Sequence, residues 1–168
     1  SQLLAFSRKE VANPRILDLD LVLRDMERML QRLIGEDIRL ELALTSAPHR
    51  TRIDAGQLQQ IILNLVVNAR EAMPRGGRLI IRTRRETAGA DDAGWIVLLV
   101  EDTGIGIDAE TQARLFEPFF TTKESGTGLG LATVHNIVRR SGGVVNVRSA
   151  PGQGAAFELR FPAQRPAT

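Results

Sequence analysis

Two asparagines one helical turn apart, Asn64 and Asn68, are the first residues of this chain whose type and spacing suggest chemistry. They share one stripe of a predicted helix with Gln57, Gln60 and Glu71. Asparagine is unfavourable inside a helix because its side chain competes for backbone hydrogen bonds, so the repeated pair needs an explanation. A solvated polar face is one explanation. The other is a cation and phosphate site, because amide oxygens suit a hard ion such as Mg²⁺.

A lone carboxylate, Asp102, closes a strand predicted from apolar residues 96–100 and is followed by Thr-Gly-Ile-Gly. We expect this carboxylate beside glycine backbone that can approach a flat ligand, where it would accept an amino hydrogen of adenine. Ordinary turn chemistry explains the same Asp-Thr-Gly sequence. An aspartic protease needs two such carboxylates in a largely β fold, and a dinucleotide fingerprint needs a βαβ unit. The single copy and the lack of a following parallel strand disfavour both.

Three further glycines, Gly126, Gly128 and Gly130, precede a predicted helix. Free N–H groups and the dipole at a helix N-terminus favour phosphate binding. The stretch is not a Walker P-loop, because no Gly-Lys-Ser/Thr follows it. Together with the two amides and the carboxylate, these glycines predict a pocket for a magnesium-bound nucleotide.

The segment 115–120 contains three of the six phenylalanines of the chain. A hydrophobic plug is the simple interpretation of this cluster. In the functional interpretation the plug anchors a mobile lid, residues 121–127, from which Lys123 reaches a phosphate as a point charge.

Length and composition indicate one domain. The chain has 168 residues, 43% of them hydrophobic, and a domain of this size buries about two-thirds of its unfolded surface. The absence of cysteine excludes disulfides and thiolate metal sites, and two histidines are too few for a histidine-built one. A net charge of +2, 4% aromatic residues and no tyrosine give no indication of nucleic-acid binding. The longest apolar run is too short to span a membrane and no signal-peptide pattern opens the chain, so we expect a soluble fragment.

Hydrophobic periodicity predicts an α/β arrangement in which Asp54 is the N-cap of the helix that carries the asparagines. The predicted helices cover residues 21–34, 54–73, 109–115 and 129–141. The predicted strands cover 15–18, 38–44, a short segment ending at 53, 79–83, 96–100, 144–149 and 156–161.

Five motifs in this order resemble the N, G1, F, G2 and G3 boxes of the catalytic domain of sensor histidine kinases. They are Asn64-Leu-Val-Val-Asn68, Asp102-Thr-Gly-Ile-Gly106, Phe116-Glu-Pro-Phe-Phe120, Gly126-Thr-Gly-Leu-Gly-Leu131 and Gly152-Gln-Gly154. The resemblance covers about residues 54–162 through these motifs and about 14–53 more loosely. It is closest to hybrid and nitrogen-regulator-like kinases.

The resemblance implies a two-layer α/β sandwich, the Bergerat fold, with a mixed, mostly antiparallel sheet of about five strands covered by about three helices and a mobile ATP lid. It also implies a division of the chain. Residues 1–12 would be a remnant of the dimerisation and phosphoacceptor helix hairpin, 13–163 the catalytic ATP-binding domain, and 164–168 a tail.

The resemblance further implies site roles. Asn68 would coordinate magnesium, Asn64 would support the phosphates, and both would be catalytic together with Lys123. Asp102 would bind the adenine amine, while Gly104 and Gly106 shape the base pocket. The other nucleotide contacts would come from Phe120, Thr121, Lys123, Gly126, Thr127, Gly128, Leu129, Gly130 and Leu131.

By the same resemblance the domain binds ATP with Mg²⁺ and passes the γ-phosphoryl group to a histidine of a dimerisation domain that this chain does not contain. His49 and His135 lack the acidic neighbour typical of that acceptor, so we expect structural roles for both. A response regulator receiver domain would act downstream. We expect the intact protein to be a homodimer, the isolated domain to be a monomer and its location to be cytoplasmic, with a membrane anchor elsewhere in the protein left open.

Two alternatives stay open. One is a degenerate module that senses a nucleotide without kinase activity, and the other is a slow ATPase. The ATPase branches of the superfamily carry a water-activating glutamate where Asn64 stands, and an amide cannot accept a proton at neutral pH, which disfavours hydrolysis. Two positions also depart from many relatives. Glu71 replaces a basic residue, and Ala155 replaces a hydroxyl-bearing one.

Overall fold

Seven strands and four helices follow one another in the computed structural model, which describes residues 11–45, 48–87, 89, 93–120 and 130–164. In chain order they are β1 (Arg15–Asp18), α1 (Leu19–Ile34), β2 (Ile38–Ala43), β3 (Arg50–Ile53), α2 (Ala55–Ala72), β4 (Gly77–Glu86), β5 (Trp95–Asp102), α3 (Ala109–Arg114), α4 (Gly130–Arg140), β6 (Val144–Ser149) and β7 (Ala155–Pro162).

Five of the strands form the central sheet, in the order β2-β4-β5-β7-β6. Only β2 and β4 pair in parallel, and the other three pairs are antiparallel. The neighbours of β5 are therefore both antiparallel to it, which excludes a βαβ dinucleotide unit at Asp102. The expected mixed, mostly antiparallel sheet is confirmed.

Helices α1, α2 and α4 bury their apolar stripes against one face of this sheet, where every second strand residue, such as Leu79, Ile81 and Leu98, belongs to the core. The core joins helix residues such as Leu23, Leu65 and Val134 to sheet residues such as Leu98 and Phe157. The short helix α3 buries none of its residues. Three covering helices and one sheet confirm the expected two-layer α/β sandwich.

A second, two-stranded sheet lies beside the first, with β1 antiparallel to β3. Thr51 of β3 also forms an antiparallel bridge with Ala163, directly after β7. Its hydroxyl donates to the carbonyl oxygen of Pro162 at 2.8 Å. Strand β3 therefore joins the amino-terminal strand to the end of the main sheet.

The boundaries of the helix with the asparagines agree with the prediction, and those of β4 do not. The Asp54 side chain accepts from the backbone N–H of Gln57 at 3.0 Å, as the predicted N-cap requires. Strand β4 runs well beyond the predicted residues 79–83. Its outward positions are Arg78, Arg82 and Arg84, which form ion pairs on the solvent face of the sheet, so apolar residues alone did not mark its length.

Some expectations fall outside the described residues. These are most of the amino-terminal segment 1–12, the tip of the β4–β5 hairpin at 88 and 90–92, and the expected lid. No helix in the parts of the chain that the structure describes has both the length and the apolar character needed to cross a bilayer.

Candidate nucleotide-binding site

The first asparagine of α2 is held on both sides. Asn64 is only 5% exposed. Its Oδ1 accepts from Nε2 of Gln60 at 2.7 Å, and its Nδ2 donates to the carbonyl oxygen of Gly130 at 3.0 Å. A solvated polar face is therefore excluded at this position, because the amide links α2 to the first residue of α4.

The polar stripe of α2 becomes more exposed towards the carboxyl end of the helix. Asn64 is buried, Asn68 one turn later is half-buried, and Glu71 is exposed. The core face of the same helix, which includes Leu58 and Leu65, lies in the interior. The stripe thus leaves the core at Asn68, a half-buried residue on an anchored helix.

Asp102 is the last residue of β5 and is 8% exposed. Its Oδ1 accepts from the backbone N–H of Gly104 at 2.8 Å and of Ala155 at 3.3 Å. Burial raises the pKa of the Asp102 carboxyl, and the two N–H donors partly offset that effect. The two donors on Oδ1 fix the orientation of the carboxylate. Its Oδ2 is therefore directed away from them, as acceptance of a hydrogen bond from an amino group would require.

The G1 loop, residues 103–107, is clamped between α2 and the turn that joins β6 to β7. Ile105 N–H donates to the carbonyl oxygen of Ala72 at 2.9 Å, and the Ile105 carbonyl accepts from Gly152 N–H at 2.7 Å. Gly154 N–H donates to the carbonyl oxygen of Gly104 at 3.1 Å. The G1 and G3 motifs, remote in sequence, therefore form one piece of structure with the end of α2.

The two G1 glycines are required by neighbouring backbone. A Cβ on Gly104 would collide with the Ala72 carbonyl oxygen, and one on Gly106 with the Ala150 carbonyl oxygen. Gly106 also has a φ of 77°, which side-chain-bearing residues rarely adopt. The sequence predicts that these glycines allow a ligand to approach the backbone. In the structure, packing against neighbouring backbone already requires glycine at both positions.

The short helix α3 supports the G1 loop from the other side. Asp108 is its N-cap and accepts from Thr111 N–H at 2.7 Å. Nε2 of Gln112 donates to the carbonyl oxygens of Ile107 and Ser149, both at 2.8 Å. Ser149 Oγ accepts from Ile107 N–H at 2.8 Å. Sequence reasoning missed Gln112 and Ser149, because neither stands in a motif.

The phenylalanine segment packs against α4. Phe116 stacks on the ring of His135, with 5.1 Å between centroids and 24° between planes. The guanidinium carbon of Arg114 lies 4.3 Å from the centroid of the Phe120 ring. Phe119 is 66% exposed and has a φ of 67°, rare for an aromatic residue. Phe116 therefore packs as the plug interpretation expects, and the ring of His135 takes part in this packing.

The structure describes eight of the predicted site residues. Asn64 contacts Gly130, and Asp102 contacts Gly104. Leu131 packs against the core, and Phe120 lies half-buried beside Arg114. The other two are Asn68 and Gly106. The predicted contacts outside the described residues are Thr121, Lys123, Gly126, Thr127, Gly128 and Leu129.

The donor set at Asn68 suits a magnesium ion that is also held by a nucleotide. No cluster of three histidine, cysteine or acidic residues occurs within the described part of the chain. The Asn68 amide oxygen would supply one neutral ligand, and Mg²⁺ commonly completes its shell with phosphate oxygens and water.

A family model described as "Histidine kinase-, DNA gyrase B-, and HSP90-like ATPase" matches residues 53–165. This range is about two-thirds of the chain and includes α2, the G1 and G3 loops and α4. The chain therefore belongs to this family.

Within the family, similar proteins are sensor kinases. Sensor kinase CckA of Brucella abortus (strain 2308) is 43% identical, and the match covers 96% of this chain and 18% of that protein. Two-component sensor PprA of Pseudomonas aeruginosa is 41% identical, covering 80% of this chain and 15% of that protein. Sensor histidine kinase ZraS of Salmonella typhi is 34% identical, covering 85% and 30%. The chain thus spans less than a third of the length of these curated relatives.

Solved structures agree with this class. The mycobacterial sensor histidine kinase MprB has a TM-score of 0.74 and 30% identity, covering 90% of this chain and 99% of that one. Full-length ShkA in complex with AMPPNP has a TM-score of 0.76 and 31% identity, covering 96% and 33%. These likenesses confirm the Bergerat fold and a catalytic, ATP-binding domain of the histidine kinase type.

Proposed function

We propose that this domain binds ATP together with Mg²⁺ and transfers the γ-phosphoryl group to a histidine on a dimerisation domain. One observation supports the proposal most directly. A helix carrying two amides one turn apart is bonded through the first of them to the start of α4, and its end is bonded to the loop that orients Asp102. Residues suited to phosphate and to purine therefore occur in one connected region.

In this proposal Asp102 accepts the adenine amine, and Gly104 and Gly106 shape the base pocket. Asn64 supports the phosphates and Asn68 holds the metal. Phe120, Gly130 and Leu131 are the other proposed nucleotide contacts within the described residues. Lys123 and the remaining G2 residues are outside the described part of the chain and are proposed on sequence grounds.

Magnesium bound at Asn68 would neutralise charge that develops on the transferring phosphoryl group. The residues of this chain orient the nucleotide. Asp102 fixes the purine end, the N-terminus of α4 offers N–H donors to the phosphate end, and the amides of α2 hold the region between them. Asn64 cannot accept a proton from water at neutral pH, so the phosphoryl group is kept for a better acceptor.

The acceptor and the other partners are proposed from the relatives, which are several times longer than this chain. We propose a histidine-containing dimerisation domain, a downstream response regulator receiver domain and a cytoplasmic, homodimeric intact protein. Residues 1–12 would end the dimerisation hairpin, 13–163 would be the catalytic domain and 164–168 a tail. The isolated domain is expected to be a monomer.

Phosphorylation of a separately supplied hairpin domain tests the proposal. With ATP and Mg²⁺ we expect a phosphohistidine on the hairpin, and chelation of the metal should abolish it. Nucleotide binding without transfer would instead support a sensing module, and release of free phosphate without transfer would support a slow ATPase.

A further inference from the structure

Gln60 is not among the residues predicted for the site, yet its side chain contacts Asn64 directly. Gln60 lies one turn before Asn64 and donates from Nε2 to Asn64 Oδ1 at 2.7 Å. We propose that Gln60 is a positioning residue for phosphate binding, acting through the orientation of the Asn64 amide. This inference rests on the proposed function and adds a residue to it.

The first step is the orientation of Asn64. An asparagine amide has a donor side and an acceptor side, and their order is fixed by what faces them. Gln60 presents a donor to Oδ1, so the NH₂ group of Asn64 points to the opposite side. There it donates to the carbonyl oxygen of Gly130 at 3.0 Å, 66 residues later in the chain.

The second step is burial. Asn64 is 5% exposed, so reversing its amide would place two acceptors, Asn64 Oδ1 and the Gly130 carbonyl, against each other out of water. Reversal would also set the NH₂ groups of Gln60 and Asn64 against each other, so Gln60 adds to the preference for the observed orientation. Gln60 is half-buried, which limits competition by solvent for this hydrogen bond.

The third step leads from Gly130 to the phosphates. The carbonyl that Asn64 holds belongs to the peptide group between Gly130 and Leu131. Because that group is planar and trans, its C=O and N–H point in opposite directions. The Leu131 N–H belongs to the first turn of α4, where donors lack partners within the helix and favour anions. Gln60 thus fixes the direction of a donor proposed to face phosphate.

Titration of Mg-ATP into the purified domain tests the proposal. Gln60→Glu offers only acceptors to Asn64, and Gln60→Met offers no hydrogen bond at similar size. We expect either change to weaken ATP binding about tenfold, the effect of one lost hydrogen bond at a buried group. The matched control is Gln59→Met, an exposed position on the same helix, for which no change is expected.

Two readouts separate positioning from a loss of structure. Adenosine lacks phosphates, so its affinity should be the same in the wild type, Gln60→Glu and Gln60→Met. The side-chain amide resonance of Asn64 in a ¹⁵N spectrum should shift in both Gln60 variants and stay in place in the control. In an Asn64→Ala background, Gln60→Glu should weaken ATP binding no further.

The outcomes are distinct from failure of the proposed function. If the wild-type domain binds no Mg-ATP, the proposed function fails and takes this inference with it. If the wild type binds and Gln60→Glu binds equally well, only the inference is overturned. An equal loss of ATP and adenosine affinity in Gln60→Met, or a further loss from Gln60→Glu in the Asn64→Ala background, overturns it as well.

Discussion

Asp102 is the residue proposed to bind the adenine amine, and its replacement tests the purine end of the site. Asp102→Ala should weaken ATP binding about tenfold to a hundredfold, since a hydrogen bond to a charged group contributes about 1.5 to 3 kcal/mol. Asp102→Asn is the isosteric replacement. Its amide oxygen can still accept from the N–H groups of Gly104 and Ala155. Calorimetric titration measures both. Wild-type affinity in either variant would remove Asp102 from the site.

If Asp102 binds the adenine amine as proposed, purine binding should depend on pH. The ionised carboxylate would accept the amine, so protonation should weaken binding. Because burial raises the pKa, affinity should begin to fall at a higher pH than for an ordinary aspartate. Adenosine is the ligand to titrate, because it has no phosphate group whose own protonation would add to the effect. The dependence should be absent in Asp102→Asn. A pH-independent wild type would contradict it.

Asn68 carries the proposed magnesium contact. Replacing it with alanine removes the neutral oxygen ligand, so Asn68→Ala should abolish the magnesium dependence of phosphotransfer to a supplied hairpin domain. The matched control is Asn136→Ala, an exposed asparagine of α4. Intact, magnesium-dependent transfer by Asn68→Ala would show that the metal is held elsewhere.

At the scale of the elements, α2 must start in the right place for its stripe to meet α4. Asp54 caps it and also accepts from the backbone N–H of Asn13 at 2.8 Å. Asp54→Ala should lower the free energy of unfolding by about 1 kcal/mol, whereas Asp54→Asn retains the cap and should change it by a few tenths. Chemical denaturation measures both. Equal stability of Asp54→Ala and the wild type would show that the cap contributes nothing.

Because Asp54 is charged, its contribution to the free energy of unfolding should depend on pH. Hydrogen bonds from Asn13 and Gln57 lower its pKa, so its ionised form is favoured in the folded state. The stabilisation is present above the ordinary aspartate pKa and is lost as pH falls through the lowered value. The difference between the wild type and Asp54→Ala should therefore shrink in acid.

The elements with strong local signals could be predicted from the sequence. Helix α2 has an N-cap aspartate, a continuous apolar stripe and a glycine pair after its end, and its bounds differ from the prediction by one residue. Strand β4 was predicted too short, because arginines paired with glutamates across strands cover its outer face. Such pairs are visible only once the register of the sheet is known.

The candidate site could be predicted where a residue stands in a motif, and the contacts between elements could not. Asp102, Asn64 and Asn68 stand in motifs with a chemical reason for their type. The link from Gln60 through Asn64 to Gly130 depends on how two helices pack, which spacing within one helix cannot reveal. Gln112 and Ser149 were missed for the same reason, since Gln112 Nε2 donates to the Ser149 carbonyl oxygen 37 residues away and Ser149 Oγ accepts from the Ile107 N–H 42 residues away.

At the scale of the whole molecule, polar groups away from the site form a buried cluster that connects parts of the fold. Asp20 is 2% exposed, and its carboxylate contacts His49 Nδ1 at 3.0 Å and accepts from Thr83 Oγ1 at 2.6 Å. His49 and Thr83 are also buried. The contacts tie the start of α1, the segment before β3 and strand β4 together through the core. They account for the structural role expected of His49.

This buried cluster predicts a change that affects stability alone. Thr83→Val keeps the shape of the side chain and removes the hydroxyl, which leaves a buried carboxylate oxygen without that donor. Such a loss costs about 1 to 3 kcal/mol, whereas Thr87→Val at an exposed position should cost almost nothing. Denaturation measures the cost, and calorimetry should find ATP affinity unchanged in the folded variant. Among the described residues, Asp20 makes no hydrogen bond to α2 or the G1 loop. A weakened ATP affinity in Thr83→Val would therefore show that the buried cluster and the nucleotide site are coupled.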